Sequence, residues 1–163
     1  MKKILLAVLA TVATTSFAQM PVPLLDNAPS EKKVIDLAVW RAAAPTLQAA
    51  LECKTKITPK IAALRPLLTK NERDQWEMFP PEPFAVFGLP VDAVVIYMDR
   101  DEQMGHSYTS IIMSKSLAEV RAATKIKSKN EGRNTKIGNL GVGQPHGPDS
   151  VELTCTITGK WQD

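Results

Sequence analysis

The chain has 163 residues, 44% of them apolar and 23% charged, with 12 prolines and 2 cysteines. These proportions exclude a collagen-like, low-complexity or disordered chain and fit one folded domain. Beyond the first 18 positions charges interrupt every apolar run, so nothing approaches the roughly 20 apolar residues of a spanning helix.

Lys2 and Lys3 precede an apolar core formed by Ile4 to Ala10 with Val12 and Ala13, and Ser16, Phe17 and Ala18 place small residues where a signal peptidase reads. Residues 1–18 are therefore expected to be a secretory signal cleaved after Ala18. A buried N-terminal helix is the alternative, disfavoured by the missing polar face and by the following Met20-Pro21-Val22-Pro23. No Cys follows the cleavage point to carry a lipid. The product is expected to be periplasmic or secreted, soluble and without a membrane span. Removing Lys2 and Lys3 lowers the formal net charge from +3 to +1, which takes away the electrostatic argument for a nucleic-acid partner. Residues 19–29 read as an extended segment and 30–163 as a single α+β domain.

From Ser30 to Ala50, Val34, Leu37, Ala38 and Arg41 recur at helical spacing with Trp40 nearby, predicting an N-terminal helix broken at Pro45. Leu51, Cys53, Thr55 and Ile57 alternate with Glu52, Lys54 and Lys56 and predict a strand. Thr58 caps a short helix begun by Pro59, with Ile61, Leu64 and Leu68 on one stripe, which Pro66 must end or kink. Asn71 caps a further turn that carries Trp76 and Phe79, and Phe79 to Pro83 is extended. Among the prolines, Trp76, Phe79, Phe84 and Phe87 read as core filling rather than an exposed aromatic ridge, whereas Trp161 is the better candidate for exposure.

Phe84 to Met98 is apolar on both sides and predicts a covered strand, with a bulge or bend at Gly88 and Pro90. Tyr108 to Met113 supplies its hairpin partner. Ser116, Leu117, Ala118 and Glu119 form a capping box that opens a helix. Val151, Leu153, Cys155 and Ile157 alternate with Glu152, Thr154, Thr156 and Thr158, a final strand. The order β-α-β-β-α-β is the ferredoxin-like split βαβ pattern, a small antiparallel sheet with helices on one face. That topology places its first and last strands side by side.

In an exported chain, Cys53 and Cys155 read as one disulfide, each on the apolar side of its strand. A buried free pair and an exposed redox pair are the alternatives, the latter lacking CxxC spacing.

Charge is unevenly distributed. Asn71 to Glu102 holds eight acids against two bases, and Lys115 to Lys136 holds seven bases against two acids. The stretch 125–149 lacks periodicity and holds five of the eight glycines, predicting a long basic loop. Its functional reading is an anion- or partner-contacting arm built from Lys125, Lys127, Lys129, Arg133 and Lys136. Its alternative is a solvated excursion or an irregular hairpin. Gly138, Gly141 and Gly143 have the wrong spacing for a dinucleotide fingerprint.

No complete catalytic or metal motif is present. Asp99, Asp101, Glu102 and His106 share one hairpin loop, but its glycine is displaced from the calcium-loop position and Ser110 stands where a Glu is needed. No Ser near His106 or His146 has a nucleophile-elbow context. Two function classes follow. The first is an exported non-catalytic binding or interaction protein of the bacterial envelope, without cofactor or metal, whose partner is a protein or an anionic envelope component. The second is a small periplasmic hydrolase or metal-dependent enzyme using His106 with Asp99 or Asp101.

Overall fold

A computed structural model of the chain describes residues 34–58, 60–69, 74–99, 105–145 and 147–159. The expected signal, the segment 19–29, the Asn71 turn, Asp101, Glu102, His146 and Trp161 lie outside the described residues.

Asp36 opens the first helix, α1 (Leu37–Leu51), its carboxylate accepting the N–H groups of Ala38 and Val39 at 2.9 and 3.0 Å. Trp40, Ala43, Leu47, Ala50 and Leu51 form its buried stripe. The helix runs through Pro45 without breaking, contrary to the sequence expectation. Interior proline removes the bond to the carbonyl four residues back, here that of Arg41. Both residues are exposed, so water can serve that carbonyl while burial of the opposite stripe holds the helix.

The predicted strand at Leu51–Ile57 is absent. Leu51 is the last residue of α1, and Cys53 adopts a left-handed conformation (φ 57°). Its N–H donates to Ala50 O and that of Lys54 to Ala49 O, both at 2.9 Å, the two bonds of a Schellman motif. Leu51, Cys53 and Ile57 are inside as a strand would place them, but Glu52 is buried as well, and the pattern comes from a helix end, a turn and an extended segment. From Lys60 to Leu68, the described part of the expected helix, there is a run of turns, not a helix. It nevertheless buries Leu64, Leu67 and Leu68.

Strand β1 (Gln75–Met78) faces Trp76 and Met78 inward, so Trp76 lies on a strand rather than a helical turn. The Trp76 indole donates to Thr69 O at 2.6 Å. In place of a bulge, β2 (Ala85–Val86) and β3 (Leu89–Pro90) make a separate two-stranded hairpin. Both turn residues have positive φ, Phe87 at 53° and Gly88 at 75°, the twist two-residue hairpins require. Glu52, largely buried, accepts the Phe87 N–H at 3.0 Å and pairs with Lys54.

The remaining elements are β4 (Ala93–Met98), β5 (Gly105–Ile112), α2 (Leu117–Thr124), β6 (Gly132–Asn134), β7 (Asn139–Gly143) and β8 (Val151–Thr158). The main sheet has six strands in the order β1-β4-β5-β8-β7-β6, every neighbouring pair antiparallel. This is α+β architecture with one disulfide, but its strand order differs from the expected ferredoxin-like one. Because Leu51–Ile57 forms no strand, β8 pairs with β5 instead of a first strand, and the β6–β7 hairpin extends the sheet beyond it.

One row of the covered face crosses every strand through Trp76, Ile96, Tyr108, Cys155, Leu140 and Arg133. Helix α1 packs on β5 and β8, and α2 on β7 and β8. The other face carries the row Glu77, Val95, Thr109, Thr154, Gly141 and Gly132. The Cys53–Cys155 bond ties the end of α1 to β8.

The capping box of α2 forms as its sequence requires. Ser116 donates from its N–H at 2.9 Å and its hydroxyl at 2.8 Å to Glu119 Oε2, and Lys115 bridges Oε1 at 3.1 Å. The backbone N–H of Ser116, then its hydroxyl and Lys115, lower the Glu119 pKa from 4.5 to about 2. A carboxyl whose pKa is depressed by folding stabilises the native state above the unfolded value and ceases to do so as pH falls through the folded value. The stability gap between the parent and Glu119→Gln is therefore expected to be full at neutral pH and to close between pH 4.5 and about 2. Urea midpoints of both proteins across that range measure it.

Candidate functional site

The basic stretch is far more ordered in its bonding than a loop. Helix α2 ends in a second Schellman motif, with Lys125 left-handed (φ 60°), its N–H donating to Ala122 O at 3.3 Å and that of Ile126 to Arg121 O at 3.0 Å. Ile126 is buried between Lys125 and Lys127 and turns both lysines outward. Arg121 then holds the following turn: its Nη1 donates to Lys127 O at 2.9 Å, Ser128 O at 3.0 Å and Asn130 O at 2.5 Å. Lys125, Lys127, Lys129 and Lys136 are all exposed. Arg133 differs from them. It lies half-buried on the covered side of β6, and its Nε donates to Thr124 O at 2.9 Å.

The stretch expected as a loop thus contains β6 and β7, paired through Gly132–Gly141, Arg133–Leu140 and Asn134–Asn139. At their turn, Thr135 Oγ1 accepts the Gly138 N–H at 3.2 Å and stands 3.4 Å from Cys53 Sγ. Gly138 is obligatory, because a Cβ there would come within 2.1 Å of Thr156 O. The outward lysines are therefore carried on a hairpin and turn that are tied to α2 and lie against the disulfide.

On the open face beside this hairpin is a shallow trough of about 770 Å³, bordered by Glu131, Asn139, Gln144 and Glu152 over a floor of Gly141 and Gly143. Neither this trough nor Arg121 was singled out by the sequence reading. The signal for the trough was present: Leu140 and Val142 alternate with Gly141 and Gly143, which marks a strand with one bare side.

His106 lies on the covered face opposite Met98 and Ile157, 7% exposed. Asp99 closes the far end of β4, its N–H donating to Gly105 O at 3.3 Å. Among the described residues no three His, Cys, Asp or Glu side chains are grouped to hold a metal ion. Trp76 is buried, and Phe84 stacks edge-on against Trp40 with ring centroids 5.2 Å apart. No described helix is long and apolar enough to cross a membrane.

No family model matches the chain, and neither a curated protein nor a solved structure matches it significantly.

Proposed function

We propose that this protein is an exported, non-catalytic binding module of the bacterial envelope, periplasmic or secreted, that engages an anionic envelope component through Lys125, Lys127, Lys129 and Lys136. The observation that carries the reading is the Arg121 clamp. By fixing three carbonyls of one turn it holds exposed lysines on an ordered support, which lowers the entropy lost when a partner is bound. The Lys2–Ala18 pattern and the disulfide support the exported setting. Arg133 serves this surface indirectly, by joining β6 to the end of α2.

The test is retention on immobilised dextran sulfate and on vesicles containing phosphatidylglycerol. Four lysines at an anionic surface contribute on the order of 1 kcal/mol each, so their joint replacement by Ala is expected to weaken capture by at least about tenfold at low salt. Raising ionic strength should erase the difference, since exposed charges are screened over about 8 Å at physiological salt. Capture that is insensitive to both the lysines and salt contradicts the reading. Dependence on His106 instead, with hydrolysis of a bound substrate, would favour an enzyme.

A further inference from the structure

Strand β6 is one edge of the six-stranded sheet, and its bonding to β7 fixes which of its backbone groups are used. The Val142 N–H donates to Glu131 O and the Thr135 N–H to Gly138 O, both at 2.8 Å. In an antiparallel ladder, residues that exchange bonds with their partners alternate with residues that exchange none. Glu131, Arg133 and Thr135 therefore turn their backbone groups toward β7, and Gly132 and Asn134, opposite Gly141 and Asn139, turn theirs the other way. Among the described residues no strand lies on that side. The N–H and C=O groups of Gly132 and Asn134 stand there in strand geometry, Asn134 exposed and Gly132 half-buried, and no described residue bonds to them.

The charges around this edge decide what it can accept. Short strands and lysines commonly close an edge to indiscriminate pairing, and here the protection is one of charge. Residues 125–136 hold five bases against the single acid Glu131. Lys129 precedes the outward groups of Gly132 by three residues and Lys136 follows those of Asn134 by two, both exposed. Between them Arg133 bonds to Thr124 O, which brings the exposed Lys125 beside the same edge. A second copy of β6 would set like charges against each other, whereas an incoming strand that carries acids meets opposite charge at both ends. The Arg121 clamp holds the turn that leads into β6, so ladder groups and flanking charges are presented together with little further ordering.

We infer that β6 receives an extended acidic segment of a partner protein as a further strand of the sheet, its backbone bonded to Gly132 and Asn134 and its carboxylates set against Lys125, Lys129 and Lys136. This rests on the reading of the lysines as an anion-binding surface and names the class of partner. Calorimetry on the oxidised full chain uses an N-acetylated, C-amidated Glu-Val-Glu-Val-Glu-Val-Glu peptide and a copy methylated at every backbone nitrogen, which keeps the charges and has no N–H to donate. The first is expected to bind one-to-one at or below about 1 mM, and the methylated copy at least about fivefold more weakly. In the chain, Asn134→Pro removes one outward N–H and leaves the bonds to β7 in place, a position where edge strands accept proline. It should weaken peptide binding by at least about fivefold, while retention on dextran sulfate, which needs only the lysines, stays as in the parent. Replacing the four lysines should weaken both. Should Asn134→Pro fail to fold, the methylated peptide decides. Retention on dextran sulfate without peptide binding overturns this inference and leaves the anion-binding reading standing, whereas loss of both overturns both. Equal binding of the two peptides, or of the parent and folded Asn134→Pro chains, also overturns it, because charge alone then accounts for capture.

Discussion

Reducing the Cys53–Cys155 bond is expected to remove about 4–5 kcal/mol of stability, from the loss of loop closure over a separation of 102 residues. The closed loop spans most of the described domain, from the end of α1 to the middle of β8. Releasing it frees nearly the whole unfolded chain. Domains of this size are commonly stable by only about 5–15 kcal/mol, so the reduced protein should sit close to its unfolding threshold. Both sulfur atoms lie in residues at most 3% exposed, so reduction alone leaves two small apolar side chains in place and tests the cross-link rather than a cavity. With a urea slope of 1–3 kcal/mol per molar, the midpoint should fall by roughly 2 M. A shift below about 0.5 M would show that the unfolded chain is already constrained in some other way.

Tyr108→Phe should cost about 2–3 kcal/mol, a large effect for the removal of one oxygen atom. Tyr108 is fully buried, and its hydroxyl accepts the Ile57 N–H at 3.2 Å and donates to Ile57 O at 3.4 Å. Ile57 is itself fully buried in a segment that belongs to no sheet. One phenol therefore replaces a ladder partner for both backbone groups of that residue. Burial pushes the Tyr108 pKa up, so the hydroxyl keeps the proton that lets it donate and accept together. Phenylalanine preserves the ring and its packing but leaves two buried backbone groups without their partner. Urea denaturation gives the stability change, and hydrogen exchange gives its location: the Ile57 amide should lose protection while the amides of β4 keep theirs. An unchanged midpoint would mean that another group or water replaces the hydroxyl.

Where the sequence was legible, the signal was short-ranged. The capping box needs only Ser116 and Glu119, three residues apart, and it forms with the expected bonds. Val151 to Thr158 alternates for eight residues in surroundings that bury one side, and the strand follows its pattern to the residue. Leu51 to Ile57 carried a similar but shorter alternation. There the Schellman turn at Cys53 puts the side chain inward as a strand would, and composition alone does not separate the two. Pro45 read as a break because a helix taken in isolation loses a bond there. The packing of Trp40, Leu47 and Leu51 against the sheet outweighs that loss. The basic stretch was legible as charge, but its support was not: Arg121 reaches carbonyls six to nine residues onward, a bond that no periodicity announces.

By itself the sequence determined the cysteine pairing, the last strand, the start of α2 and the basic character of 115–136, because each rests on neighbouring residue types or on the presence of two cysteines alone. Tertiary structure decided the strand order, the integrity of α1 and the making of a hairpin from a glycine-rich stretch. It also decided that Arg133 serves the fold while four lysines face outward. Strand neighbours and side-chain partners are selected by which surfaces can be buried together, and that competition is settled among segments as far as 102 residues apart, beyond the reach of any local pattern.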